Sequence, residues 1–345
     1  DVVIFDCELT PNQQKELRAI FQCDVVDRTG LILDIFSLHA QSKEASLQVE
    51  LAMSVYLKPR LAGLGKTLNQ QGGGIGTRGP GETKLETDSR LIDNRINKLK
   101  KELKKIEKQR NVQSSSREKN NIPLVSIVGY TNAGKSTLLK KLTNSDAYAA
   151  DELFATVDSL QRELRIKDIQ DPLILSDTVG FIQNLPTTLI ESFKSTLMVA
   201  TKADLLVHVV DAATALPEMH INTVVNILKQ IDAKSNEIMV FNKIDKIDKA
   251  SLNQLKESYP QALFVSSLKN DGLDLLKDRI AEEIFGIVSL GSYQINPSKL
   301  DTVAKFGKIL NVKNESNYLV LELEMRDKLV DRLLNLKIME KNINA

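Results

Sequence analysis

The chain has 345 residues, 42% of them hydrophobic and 26% charged, with 46 Lys and Arg against 45 Asp and Glu. This is ordinary globular composition; it excludes a disordered polyelectrolyte, a collagen-like repeat and a disulfide miniprotein, and the length suggests two or three domains. No apolar run approaches the roughly 18–20 residues of a membrane span, and two cysteines, Cys7 and Cys23, point to a reducing compartment. The first residues do not read as a secretory signal, so a cytoplasmic location is expected, with peripheral attachment to a membrane left open. The net charge of +1 is an average over unlike parts. Residues 1–57 hold 4 basic and 9 acidic side chains, residues 58–120 hold 16 and 7, and residues 121–345 hold 26 and 29. The middle segment is therefore strongly basic.

In chain order, residues 2–5 read as a strand, followed by a helical stretch with Pro11 early in it. Short β-branched runs at residues 25–26 and 31–36 follow as further strand candidates. This α/β piece, residues 1–41, opens abruptly and is expected to be part of a domain. From about Ser42 to Leu68 the pattern turns helical, with Leu57, Leu61, Leu64 and Leu68 spaced 4, 3 and 4 apart. After a glycine-rich break, Ile92, Ile96, Leu99, Leu103 and Ile106 repeat the spacing among Lys and Glu. The two stretches predict an antiparallel helical hairpin over residues 42–110 with an a/d seam and a tip loop at 72–81. Residues 111–121, with three serines, read as a linker.

From Ile122 the pattern changes to strand–turn–helix units, with strands expected at 124–128, 160–166, 173–176, 205–210, 238–241 and 263–266. The expected fold class is α/β: a P-loop domain over 122–287, mostly parallel sheet with helices on both faces. A partial α/β domain with the helical hairpin precedes it. A small α+β domain follows over 288–345, read as helix (298–306), hairpin (309–312 and 318–325) and helix (327–336).

The strongest chemical signal is Gly129-Tyr130-Thr131-Asn132-Ala133-Gly134-Lys135-Ser136, a GxxxxGKS phosphate loop between an apolar strand and a helix that begins with Thr137. Backbone amides of such a loop and of the helix N-terminus cradle phosphate oxygens. Lys135 is expected to reach the β- and γ-phosphates, and the Ser136 hydroxyl to bind Mg²⁺. Asn242-Lys243-Ile244-Asp245 resembles the NKxD motif that selects guanine. The Asp245 carboxylate would accept from two donors on the guanine edge, a pair that adenine does not offer. Ser266-Ser267-Leu268 resembles the base-contacting loop that follows the last strand. Asp177-Thr178-Val179-Gly180 matches DxxG, with Asp177 holding Mg²⁺ through water and the Gly180 amide sensing the γ-phosphate. Thr156 is the expected second hydroxyl ligand of the metal. These motifs, in this order, predict a GTPase binding GTP or GDP with Mg²⁺, with Lys135, Thr156 and Gly180 as catalytic candidates. Gly129, Asn132, Ala133, Gly134, Ser136, Thr137, Asn242, Lys243, Ser266 and Ser267 complete the nucleotide site. Phe181 occupies the place where many GTPases carry a water-orienting glutamine, so slow intrinsic hydrolysis is expected. Asn132 lies where GTPases of the translation-factor class bind K⁺ beside the phosphates, and K⁺ is a further candidate cofactor.

Residues 72–88 form the second feature, GGGIGTRGPGETKLETD. Gly74, Gly76 and Gly79 spell GxGxxG, yet a long helix precedes them, so the dinucleotide-binding context fails. Glycine backbone with Arg78 and Lys84 suits close approach to phosphates or splayed bases, and the basic helix beginning near Arg90 supplies electrostatic footing. Gly74, Gly76, Arg78, Gly79, Lys84 and Arg90 are the RNA-binding candidates. His39, His208 and His220 are isolated and are expected to be structural.

That glycine loop, the opening VIFDCELTPNQQ, the run VVDRTGLILDIF and the motifs GYTNAGKS and DTVGFI together resemble the HflX family of ribosome-associated GTPases, over residues 1 to about 290. The resemblance implies binding to the large ribosomal subunit, a hairpin loop near the peptidyl-transferase centre, and splitting of stalled or idle ribosomes. The alternative is an assembly or dormancy factor whose nucleotide state gates occupancy. A monomer is expected. Two departures stand out: the family's N-terminal domain normally begins upstream of Asp1, and Ser267 replaces the usual alanine.

Overall fold

The computed structural model describes residues 1–69, 84–119, 121–143, 160–166, 169, 172–178, 180–183, 194–315 and 317–341. The chain divides into two compact units, one of residues 1–116, 152–159 and 179–198, the other of residues 117–151, 160–178 and 199–345.

In the first unit, β1 (Val2–Phe5) and β2 (Asp24–Asp27) pair in parallel across α1 (Pro11–Phe21). Thr10 and Gln13 start α1 as a reciprocal capping box, with Pro11 in the first turn. Asp27 then ends β2 and caps α2 (Arg28–His39), its carboxylate accepting from the Gly30 amide at 2.8 Å. Residues 31–36 are therefore helical, not the strand that their apolar run suggested. Ile32, Leu33 and Phe36 are buried together, the spacing of one helix face. They form a core with Ala45, Val49, Ala52 and Ile182.

Next come α3 (Lys43–Asn69) and α4 (Lys84–Lys119), packed antiparallel with Glu50 against Arg95 and Lys58 against Asp93. The α4 side of the seam is as expected: Ile92, Ile96, Leu99, Leu103 and Ile106. On α3 the partners are Leu47, Leu51 and Val55, whereas Leu57 is 42% exposed. The side chains of Leu61, Leu64 and Leu68 lie outside the described residues. The expected linker at 111–121 is also corrected: α4 continues through Lys119, and the chain turns at Asn121 with φ 50°. Extending an existing helix through Gln, Arg, Glu and Lys is cheap compared with nucleating one.

A buried polar cluster ties α1, β2 and α3 together. The Asp27 carboxylate, fully buried, accepts from the Leu9 amide (3.1 Å), the Gly30 amide, the Tyr56 hydroxyl (2.7 Å) and Arg60 (2.8 Å). Arg60 also donates to Gln14 and the Leu9 carbonyl, and its guanidinium lies 3.5 Å from the Tyr56 ring centroid. Burial, and then the bond to Asp27, push the Tyr56 phenol well above its usual pKa.

The second unit holds a six-stranded sheet in the order β4-β5-β3-β6-β7-β8. Its strands are β3 (Leu124–Gly129), β4 (Gln161–Leu164), β5 (Leu173–Asp177), β6 (Leu205–Asp211), β7 (Asn236–Asn242) and β8 (Leu263–Phe264). Every neighbouring pair is parallel except β4–β5. The helices are α5 (Lys135–Thr143), α6 (Lys194–Thr201), α7 (Pro217–Gln230), α8 (Lys249–Ser258) and α9 (Leu273–Phe285); α6 straddles the division between the units. The order reverses around β3, which makes its carboxyl end the topological switch point. Gly129, Asp177, Asp211 and Asn242 all stand at carboxyl ends of these strands.

The same unit ends in a four-stranded antiparallel sheet, ordered β10-β11-β9-β12. It comprises β9 (Val288–Ile295), α10 (Leu300–Val303), β10 (Gly307–Asn314), β11 (Leu319–Arg326), α11 (Asp327–Asn335) and β12 (Met339–Lys341). This is the split β-α-β arrangement. Leu319, Leu321, Leu323 and Met325 alternate inward and share a core with Leu329, Val330 and Leu333 of α11. The α+β expectation holds, but β9 and β12 were not foreseen. Among the described residues, no helix is long and apolar enough to cross a membrane.

Candidate nucleotide site

The phosphate loop leaves β3 through Gly129, at φ 155°, where a Cβ would run into the Val209 carbonyl. Gly134, at φ 90°, is equally constrained, since a Cβ there would meet the Asn242 amide. Asn132 takes the left-handed region at φ 58°. Lys135 is buried at 6% exposure and donates from Nζ to the Tyr130 carbonyl at 2.9 Å. The Ser136 hydroxyl donates to Asp177 Oδ2 at 2.6 Å. Asp177 is fully buried; its Oδ1 accepts from the Thr178 amide at 2.8 Å, and the Thr178 hydroxyl is anchored on the Ile127 carbonyl.

The base side is built around Asn242, which acts as a strut. Its Nδ2 donates to the Ala133 carbonyl at 3.0 Å, and its Oδ1 accepts from both the amide (3.0 Å) and the hydroxyl (2.8 Å) of Ser267. One buried side chain thus fixes the phosphate loop to the loop after β8. Serine in place of alanine at 267 adds a donor there. Asp245 Oδ1 accepts from the Ser266 hydroxyl at 2.5 Å, which orients the carboxylate expected to meet the base. Lys243 Nζ donates to the Asn132 carbonyl at 2.6 Å and pairs with Asp211 at 2.9 Å.

The structure therefore gathers Gly129 to Thr137, Asp177, Asn242, Lys243, Asp245, Ser266 and Ser267 at one end of the sheet. Thr156 lies outside the described residues, as do Gly74, Gly76, Arg78 and Gly79. Gly180 is described and buried, within the unit that holds the N-terminal helices. Phe181 is 1% exposed, a buried apolar ring that cannot orient an attacking water. Lys84 opens α4, and Arg90 is exposed on it. Two contributors were not assigned to the site from the sequence, which read His220 only as an isolated structural residue. Asp211 ends β6 as Asp177 ends β5, a signal that could have found it. His220, which stacks on Tyr130, gave none. His39 contacts the Ile35 carbonyl and His208 pairs with Glu237 at 2.7 Å, so all three histidines have local roles. Among the described residues no His, Cys, Asp and Glu group could hold a metal alone.

Burial lowers the Lys135 pKa to about 8; the Asp177 charge opposes the shift and Lys243 adds to it. Nucleotide phosphates favour the ammonium form and would raise that pKa. Between pH 8 and 9 the loop lysine is partly neutral, so GTP binding is expected to take up a fraction of a proton. At pH 6.5 the lysine is already charged, and its share of the uptake should vanish. Calorimetric titration in buffers of different ionisation enthalpy reads this directly. Uptake that does not grow from pH 6.5 to 9 would contradict it.

Three family models match: one described as GTP-binding GTPase N-terminal over residues 1–37, one as GTP-binding GTPase middle region over 39–117, and one as 50S ribosome-binding GTPase over 124–243. The GTPase HflX of Caldanaerobacter subterraneus is 43% identical over 97% of this chain and 78% of its own length. The chain belongs to the HflX family of GTPases. The Escherichia coli GTPase HflX is 41% identical over 91% of this chain and 74% of its own length. A solved GTP-binding protein from Sulfolobus solfataricus in complex with GDP is 29% identical over 82% of this chain and 80% of that chain, at a TM-score of 0.46. As an HflX-family GTPase the chain binds guanine nucleotide and hydrolyses GTP.

Proposed function

We propose that this HflX-family GTPase binds the large (50S) ribosomal subunit and splits or rescues stalled or idle ribosomes. The observation that carries the reading is a long, strongly basic helical hairpin placed ahead of the GTPase domain. Lys98, Lys100, Lys101, Lys104, Lys105 and Lys108 follow the Ile/Leu seam of α4 in a segment of 16 basic and 7 acidic residues. Such a face suits the phosphates of ribosomal RNA, and the 50S ribosome-binding description of the matched family supports the same partner. The glycine loop at 72–81, with Arg78 and Lys84, would be the part that reaches RNA near the peptidyl-transferase centre.

In this reading, water attacks the γ-phosphate in line. Lys135 and the Gly180 amide stabilise the transferred group. Ser136 and Thr156, with Asp177 through water, would hold a Mg²⁺ ion, Ser136 and Asp177 lying at hydrogen-bond distance from each other; the ion would supply positive charge to the phosphates. Asn132, exposed in the loop, is the residue that would take K⁺. Because Phe181 is buried and cannot position water, the ribosome is expected to complete the site, raising the GTPase rate by about 10²-fold, the worth of one supplied stabilising group. The test is the GTPase rate with and without large subunits, in potassium and in sodium, repeated after deleting residues 72–81. Undiminished stimulation in the deletion would remove the loop from the reading, and equal rates in the two salts would remove K⁺. Intact ribosomes with GTP complete the experiment: dissociation supports splitting, whereas stable 50S binding without dissociation points to an assembly or dormancy factor.

A further inference from the structure

Tyr130 and His220 come from distant parts of the chain and meet face to face. Tyr130 follows Gly129 in the phosphate loop, and His220 lies near the start of α7. Their ring centroids are 3.9 Å apart and their planes within 6° of parallel. Stacking of this kind is directional, so it fixes the orientation of the residue that carries each ring. Tyr130 is the residue whose orientation matters, because its carbonyl accepts from the Lys135 ammonium (2.9 Å) and from the Ala133 amide (3.3 Å). The peptide that holds the loop lysine in place is therefore attached to the stacked ring.

The neighbourhood reinforces the arrangement. Asp211, whose charge is felt at His220, pairs with Lys243, and Lys243 holds the Asn132 carbonyl. The loop is thus gripped at its second residue by the stack and at its fourth by the Asp211–Lys243 pair. Burial keeps the imidazole below its ordinary pKa despite the opposing charge of Asp211.

We propose that His220 is a positioning residue for nucleotide binding, clamping Tyr130 so that the first turn of the phosphate loop is held ready for the phosphates. The proposal rests on the reading of residues 129–136 as the phosphate site. It differs from mere packing in what it predicts: the defect falls on binding, and another flat ring repairs it.

The experiment uses the full chain, with fluorescent GDP release and steady-state GTP hydrolysis measured for wild type, His220→Ala, His220→Phe and Lys135→Ala. His220→Ala is expected to release GDP about three- to tenfold faster, with KM for GTP rising by the same factor; this is about 0.7–1.4 kcal/mol at 1.4 kcal/mol per tenfold. Its kcat should fall less than about twofold, and His220→Phe should restore release and KM to within about twofold of wild type. An unchanged KM in His220→Ala overturns the proposal. So does a Phe variant as defective as the Ala variant. A parallel loss of kcat and KM together with a lowered unfolding temperature overturns it too, since His220 would then only support the fold. Lys135→Ala separates the two levels: if it binds GTP normally, the phosphate-loop reading itself fails, whereas Lys135 sensitivity with His220 indifference sinks the stack alone.

Discussion

Asp245→Asn is expected to turn a guanine-selective protein into one that prefers xanthine nucleotides. Guanine presents two donors, N1–H and the N2 amino group, and one carboxylate can accept both. The Asn amide replaces one acceptor by a donor, so an N–H faces an N–H. Hydrogen bonds to charged groups contribute about 1.5–3 kcal/mol each. Losing one of them and weakening the other to a neutral bond corresponds to a drop of about 30- to 10³-fold in GTP affinity. Xanthine carries a carbonyl at C2 and accepts from that same amide. The loops should survive the change, because Asn242 is what ties the phosphate loop to Ser267, and the oxygen of Asn at 245 can still accept from the Ser266 hydroxyl. Competition titrations with GTP, ATP and XTP decide the matter. An Asn variant that holds GTP within about threefold of wild type would show that Asp245 does not read the base.

The second large effect lies in the N-terminal unit. Arg60→Ala removes the cationic partner of Asp27, a side chain with no solvent exposure. Breaking a buried ion pair from one side costs about 3–5 kcal/mol, because the remaining charge stays buried and uncompensated. Three donors remain on the carboxylate, from Leu9, Gly30 and Tyr56, so the lower end of that range is expected. The change also strips a donor from Gln14 and from the Leu9 carbonyl, loosening α1. Hydrogen exchange of α1 and α2, with denaturant unfolding of the whole chain, measures it. Arg60→Lys should recover only part of the loss, because an ammonium cannot make the same fork of bonds. A destabilisation below about 1 kcal/mol would mean that the pair is dispensable.

The nucleotide motifs could be read because each is contiguous and each sits at the end of an apolar strand, where the fold leaves little freedom. Gly129, Gly134, Lys135, Ser136, Asp177, Asn242 and Asp245 are of this kind. The misread parts are those where one pattern serves two structures. Residues 31–36 are apolar enough for a strand, but the Asp27 cap on the Gly30 amide commits them to helix. A leucine run on a long helix offers more than one stripe, and only the partner helix shows that Leu47, Leu51 and Val55, not Leu57, meet α4. The serines of residues 111–119 suggested a loop, whereas the helix behind them carries through. The sequence of β9, Val-Ser-Leu-Gly-Ser-Tyr-Gln-Ile, has no clean alternation, since its first residues are exposed and only Tyr293 and Ile295 are buried. The Tyr130–His220 stack and the Asp211–Lys243 pair bring together residues far apart in sequence, which no local pattern records.

Ile182 has a consequence for how the molecule is made. It shares a core with Ile32, Leu33, Phe36, Ala45, Val49 and Ala52, which are translated long before it. That core cannot be complete until synthesis has passed Ile182. Helices α2 and α3 therefore wait, one wall short, with apolar surface open to chaperones and to misassociation. Such distant closure is also the slow kind, because a long loop must be ordered before the contact rewards it. The helices α2 and α3 are thus made well before their core can be finished.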